Sequence, residues 1–90
     1  MIEEYEKILR AAIEPLVKEP ESLIIRCIDS KETVETSRDV HFIIVCPDDE
    51  LGKLIGRHGS VADSIRTIVN IKARDDRKRV HLKFQSFSEE

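Results

Sequence analysis

Residues 52–59 read Gly-Lys-Leu-Ile-Gly-Arg-His-Gly, and residues 60–65 continue as Ser-Val-Ala-Asp-Ser-Ile. This pattern predicts the end of a short helix, a tight four-residue loop with glycine at both ends, and a second helix. The two glycines allow positive φ angles and remove side chains that would hold a ligand away from the backbone. Ser60 with Asp63 three residues later matches a capping pattern, so we expect Ser60 to cap a helix that begins directly after the loop.

A helix start of this kind suits a phosphate group. Its first backbone N–H groups have no partner inside the helix, and its dipole is positive at this end. Lys53, Arg57 and His58 add side-chain donors beside them. The stretch therefore predicts an anion-binding loop. The alternative, a structural helix–helix turn, does not account for two cations and a histidine at the same place.

The residues around the loop resemble a known family. Residues 54–62 read Leu-Ile-Gly-Arg-His-Gly-Ser-Val-Ala and resemble the I-G-x-x-G signature of K-homology (KH) domains, whose loop clamps the backbone of about four nucleotides. A G-x-x-G pattern alone is common by chance. Here it follows an apolar pair and a lysine, lies between two helical segments, and is bracketed by strand-like runs, which makes the resemblance specific.

Length and composition indicate one small domain. The chain has 90 residues, of which 40% are hydrophobic and 37% charged, and no apolar run approaches the roughly 20 residues that span a bilayer. The first residues, Met-Ile-Glu-Glu-Tyr-Glu, are acidic, unlike a secretory signal, so we expect a cytoplasmic protein without a membrane partner. Cys27 and Cys46 lie in strand-like runs and are interpreted as buried free thiols rather than as a disulfide or metal site.

Charge is unevenly distributed along the chain. Residues 1–50 hold 6 Lys/Arg and 13 Asp/Glu, a net charge of −7, whereas residues 51–90 hold 9 and 5, a net charge of +4. The sign changes where the glycine loop begins. A basic face on an acidic molecule and an uneven but merely solvated surface are both compatible with this pattern.

Hydrophobic periodicity divides the first half into three elements. An apolar stripe at helical spacing predicts a helix over residues 2–18, which Pro15 distorts near its end. Runs rich in β-branched residues predict strands over residues 23–28 and 40–46. The polar segment 29–39 between them is predicted as a turn, with Val34 a possible early start of the second strand.

The second half supplies two helices and a strand. A helix is predicted over residues 48–55 with Asp48 as its cap, and the helix after the loop should fray near residues 73–76. Residues 79–84 alternate strictly, which predicts a strand with Val80, Leu82 and Phe84 inward and Arg79, His81 and Lys83 outward. His41 and His81 are interpreted as strand residues rather than as ligands.

The order of elements predicts a two-layer α+β domain, with the helices on one face of a three-stranded sheet. The last two strands are joined by a two-helix crossover, which permits parallel pairing, and the first two can pair as a hairpin. This order, α-β-β-α-α-β, is similar to the type II arrangement of KH domains, and the length resembles small bacterial RNA-binding proteins of the KhpA type. Residues 1–86 would form the KH-like domain and residues 87–90 a short polar tail.

The resemblance implies that single-stranded RNA lies in a groove beside the loop. The backbone N–H groups of Arg57, His58 and Gly59 would face phosphates, with the side chains of Lys53 and Arg57 adding charged contacts. The 4% aromatic content argues against a platform of stacked aromatic rings. The RNA-contacting residues implied in this way are Lys53, Leu54, Ile55, Gly56, Arg57, His58, Gly59, Ser60 and Arg66.

Three classes of function are compared. The first is a non-catalytic RNA-binding protein, a post-transcriptional or RNA-chaperone-type regulator that gains affinity as a homodimer or as a heterodimer with another KH-containing protein. Its interface would involve the last strand and Phe87. The second is a protein-interaction module that uses the KH scaffold with little RNA binding. An enzyme is not favoured, because no residues have the spacing of a zinc site, a nucleophile with its base, or a Walker A loop, and we expect no cofactor.

Overall fold

The computed structural model describes residues 1–88. Within them the helices are α1 Ile2–Ile13, α2 Lys31–Thr36, α3 Asp48–Ile55 and α4 Ser60–Asp75. The strands are β1 Ile24–Cys27, β2 Asp39–Cys46 and β3 Arg79–Ser86. Short 3-10 turns occupy Glu14–Leu16, Pro20–Ser22 and Arg57–Gly59. None of the helices in this part of the chain has the length and apolar character needed to cross a bilayer.

The sheet places β2 between β1 and β3. β1 pairs with β2 antiparallel, with Ile25 opposite Ile44, and β2 pairs with β3 parallel, with Val40 opposite Val80. The parallel pair is possible because α3 and α4 form the crossover between its strands. The α+β architecture with helices packed on a three-stranded sheet, predicted from the order of elements, is confirmed.

The core lies between the sheet and the helices. Along β2 every second side chain is buried, and the alternation of Val80 and Leu82 on β3 places these residues on the same inner face. Tyr5 is fully buried and its hydroxyl donates to Asp76 Oδ2 at 2.7 Å, which ties α1 to the end of α4. Burial and this carboxylate raise the pKa of Tyr5 far above its usual value.

The first helix is shorter than predicted. α1 ends at Ile13, and the segment up to Leu16 continues as a 3-10 turn that contains Pro15. Proline lacks the N–H that a further helical turn requires, so the chain leaves the helix here rather than near Lys18.

Residues 31–36 form a helix, where the sequence had predicted a turn or an early strand. Ser30 caps α2, since its Oγ accepts from the N–H of Thr33 at 3.1 Å. Val34 is 7% exposed and packs into the core, and Lys78 Nζ donates to the carbonyl oxygens of Val34 and Ser37. Contacts from distant residues therefore hold a segment whose own sequence shows one apolar side chain and no periodicity.

Both predicted helix caps were wrong. Ser60 is the first helical residue of α4, and the cap position is held by Gly59, without a side-chain hydrogen bond. Pro47 occupies the cap position of α3, and Asp48 instead accepts hydrogen bonds from Ser88. These donors hold the pKa of Asp48 below its usual range.

The chain after β3 also returns to β2. Phe87 N–H donates to the carbonyl oxygen of Cys46 at 3.0 Å, so the predicted tail begins with residues that are tied down. The remainder of that tail, residues 89–90, lies outside the described residues.

Candidate nucleic-acid interface

The loop between α3 and α4 depends on three residues with positive φ. Gly56 has φ 75° and ψ 172°, His58 has φ 56°, and Gly59 has φ 78°. A Cβ atom on Gly56 would lie 2.5 Å from Val61 Cγ2 and 2.7 Å from Val61 N, whereas one on Gly59 would meet open space. Gly56 is therefore required by both close packing and conformation, and Gly59 by conformation alone.

The loop uses one of the predicted phosphate donors internally. The N–H of Gly59 donates to the carbonyl oxygen of Gly56 at 3.1 Å, and the N–H of Ser60 donates to that of Arg57. The N–H of Gly59, which was expected to face a phosphate, thus has an acceptor inside the loop. The N–H groups of Arg57 and His58 directly precede these two internally bonded ones, so they are the predicted donors left as candidates for an anion.

Lys53 lies beside the loop but is already paired. Its Nζ lies 3.2 Å from Oε2 of Glu50, whose side chain is almost completely buried, while Glu50 Oε1 accepts from the N–H of Lys18 at 3.3 Å. Burial alone would raise the pKa of Glu50, but Lys53 and Lys18 outweigh it and the pKa lies below its usual value. A phosphate at Lys53 would have to share this ammonium group with a carboxylate.

The apolar residues before the loop have two roles. Leu54 is fully buried and anchors α3 against the core, whereas Ile55 is 36% exposed at the end of the helix. Leu54 therefore packs the short helix against the core, as predicted. The side chain of Ile55 remains partly exposed at the surface.

Arg66 lies further along α4 and covers the free edge of β3. Its Nη1 donates to Asp63 at 2.9 Å, its Nη2 to the carbonyl oxygen of Leu82 at 3.5 Å, and its guanidinium carbon lies 5.7 Å from the Phe84 ring centroid. One turn later Asn70 bonds both backbone polar groups of Val80. Arg66 therefore lines the surface between α4 and β3, and its guanidinium is already hydrogen-bonded there.

This surface is a basic groove that the sequence did not predict. It extends along α4 towards the start of β3 and has a volume of about 470 Å³. Among residues 1–88, none of those that line it is acidic, although the chain as a whole is acidic. The only signal in the sequence was the +4 charge of the second half, and Arg38 comes from the acidic half. The cations that line this basic groove are Arg38, Arg66, Arg74, Lys78 and Arg79.

Comparison with known proteins identifies the family. Residues 6–84 match the family model described as KhpA/KhpB, KH domain. The RNA-binding protein KhpA of Oceanobacillus iheyensis is 36% identical over 75 residues, which cover 83% of this chain and 92% of that protein. The protein of the same name from Lactiplantibacillus plantarum is 33% identical over 75 residues, covering 83% and 81%.

Among solved structures, Era in complex with MgGDPNP and nucleotides 1506–1542 of 16S ribosomal RNA is similar, with a TM-score of 0.64. The match covers 91% of this chain but 29% of Era, at 16% identity, so it supports the fold alone. The family match covers most of the chain and agrees with the observed sheet and glycine loop. The chain therefore belongs to the KhpA/KhpB KH-domain family, which is non-catalytic.

Proposed function

We propose that this protein binds single-stranded RNA without catalysis, by holding phosphates at the glycine loop. The observation that carries the proposal is the loop geometry: positive φ angles at Gly56, His58 and Gly59 place the backbone of Arg57 and His58 at the start of a 16-residue helix. An anion at this position would meet oriented donors and the positive end of the helix dipole. The names of the relatives, RNA-binding protein KhpA, support the same ligand.

The basic groove supports a path for the RNA beyond the loop. α4 begins at the loop and passes Arg66 and Arg74, so a strand that leaves the loop along this helix would stay beside cations. Contacts of this type neutralise phosphates whatever the base sequence. We therefore propose a binder with little sequence preference, acting in the cytoplasm as a post-transcriptional or RNA-chaperone-type regulator.

A single domain that contacts about four nucleotides gives weak binding, and pairing of domains raises it. We propose that the protein pairs with itself or with another KH-containing protein. The end of the last strand supports this, since Phe87, just after β3, is 48% exposed. Arg66 and Asn70 cover the edge of β3 further back, at Leu82 and Val80.

The proposal is tested by fluorescence anisotropy with short labelled RNAs at two salt concentrations. The variant carries Arg57→Asp and His58→Asp, which reverses the charge of the loop and leaves both glycines intact. Aspartate tolerates the positive φ of position 58 better than most residues, and circular dichroism checks the fold. Lys7→Asp, on the exposed face of α1, is the charge-reversal control.

We expect salt-sensitive binding in the wild type and the control, and its loss in the loop variant. Equal binding by all three proteins would show that the loop does not hold RNA. Absence of RNA binding in the wild type would favour the protein-interaction module instead.

A further inference from the structure

Two histidines stack on the face of the sheet that carries no helices. His41 on β2 is the register partner of His81 on β3, and their rings lie 4.9 Å apart between centroids and 17° from parallel. Both side chains are nearly half exposed. The sequence had indicated an outward His81 and a surface or packed His41, but not that their rings meet.

Each ring is held by a carboxylate. His41 Nδ1 lies 3.2 Å from Asp29, which also accepts the backbone N–H of His41, and His81 Nε2 lies 2.8 Å from Asp39 Oδ1. The hydrogen bond from His81 keeps the pKa of Asp39 below its usual range, so this partner stays ionised at neutral pH. Both imidazole planes are therefore fixed before any ligand arrives, on two paired strands.

The second face of His81 is directed towards the basic groove. Because β3 is an edge strand and His41 covers the ring from the side of β2, the uncovered face is on the side of the free edge. There His81 lines the groove together with Arg38, Arg66 and Arg79. A flat ring is thus placed among cations that can hold a phosphate backbone.

We propose that the outer face of His81, backed by His41, is a stacking position for one base of single-stranded RNA. The inference rests on the RNA binding proposed above and adds a base contact to it. Stacking accepts any base, since every base has a π face, and histidine is among the side chains that serve this purpose. The low content of Phe, Tyr and Trp does not exclude it, because imidazole rings are not counted in that fraction.

The test compares His81→Ala and His81→Phe with the wild type. The probes are a labelled eight-nucleotide RNA, an abasic ribose-phosphate oligomer of equal length, and the same RNA with 2-aminopurine, whose fluorescence falls on stacking. We expect His81→Ala to weaken RNA binding about tenfold and to lose the quenching, while binding of the abasic oligomer is unchanged. His81→Phe should restore both RNA affinity and quenching, which also shows that the fold tolerates a change at this position.

Equal RNA affinity of the wild type and His81→Ala would overturn the stacking position. An equal loss for RNA and abasic oligomer would also overturn it, because the contact would then be to the backbone. If the wild type binds the abasic oligomer but quenches no 2-aminopurine, this inference fails and the phosphate clamp stands. If the wild type binds neither probe, the proposed function fails with it.

Discussion

At the scale of single residues, the two loop glycines serve different physical needs. Gly56 combines positive φ with a close approach to Val61, and Gly59 has positive φ but open space around it. His58 adopts the left-handed region that Gly59 also occupies, which shows that the loop tolerates a side chain in this region at one position. Sequence alone shows two equivalent glycines, because the difference depends on where Val61 lies in the folded loop.

Alanine at each glycine separates the two needs. Gly56→Ala adds a clash of 2.5 Å to backbone strain, and we expect it to lower the free energy of unfolding by about 3 kcal/mol or more. Gly59→Ala adds strain alone and should cost about 1 kcal/mol. Urea denaturation measures both. Equal losses would contradict the assignment of close packing to Gly56.

The second prediction at the scale of single residues concerns how the buried carboxylate of Glu50 makes stability depend on pH. Because its folded pKa is depressed, its contribution to stability is present above the unfolded pKa of about 4.3 and is lost as pH falls through the folded pKa. Glu50→Gln removes the charge with little change of shape. We expect lower stability at pH 7, a smaller loss of stability on acidification below pH 4, and tighter RNA binding, because Lys53 is no longer paired.

Thermal melting between pH 2 and pH 7 and anisotropy at pH 7 measure these changes. An unchanged pH profile would show that Glu50 has no depressed pKa. Weaker RNA binding would show that Glu50 positions Lys53 rather than competing with a phosphate for it.

At the scale of elements, α4 ends in a Schellman motif without glycine. Lys78 N–H donates to the carbonyl oxygen of Ala73 at 2.8 Å and Arg77 N–H to that of Arg74 at 3.0 Å, while Arg77 has φ 59°. Glycine usually occupies this left-handed position, since it has no Cβ to strain. An arginine here carries a backbone strain of about 1 kcal/mol that glycine would not.

Arg77→Gly tests whether this strain lowers the stability of the fold. We expect the free energy of unfolding to rise by about 1 kcal/mol, seen as an increase in the urea midpoint with an unchanged slope. Arg77→Ala is the matched variant, which removes the cation but keeps the strain. If Arg77→Gly is no more stable than Arg77→Ala, the left-handed position is not a source of strain.

Elements with their own periodicity were predictable. The stripe of α1 and the nearly apolar β2 carry their signal locally, and the crossover of α3 and α4 follows from their order. α2 carried no such signal, since Val34 and the reach of Lys78 matter only after folding. The glycine loop could also be predicted, because its signal lies in a short stretch of consecutive residues, as it does for β2. The basic groove was not, because Arg38 joins it from 28 residues before Arg66 in the sequence.

At the scale of the whole molecule, the net charge of −3 hides a separation of charge. Acidic residues dominate the first half of the chain, yet Arg38 from that half lines the same groove as Arg74 and Arg79, and none of the described residues that line this groove is acidic. An RNA strand would be repelled by much of the surface and attracted at this groove, so charge placement favours one orientation on the protein.

The groove makes a quantitative prediction about salt. Arg38→Ala with Arg79→Ala removes two cations whose side chains are exposed, while the bond between Arg79 N–H and the Arg38 carbonyl oxygen is retained. If each cation neutralises one phosphate, the slope of log affinity against log salt should become shallower by about 0.7 per arginine, or about 1.4 in total.

Lys7→Ala with Lys31→Ala, both exposed on other helices, is the charge-matched control and should leave the slope unchanged. Weaker binding with an unchanged slope would mean that the arginines support the groove without touching phosphate, and an equal slope change in the control would mean that only net charge matters.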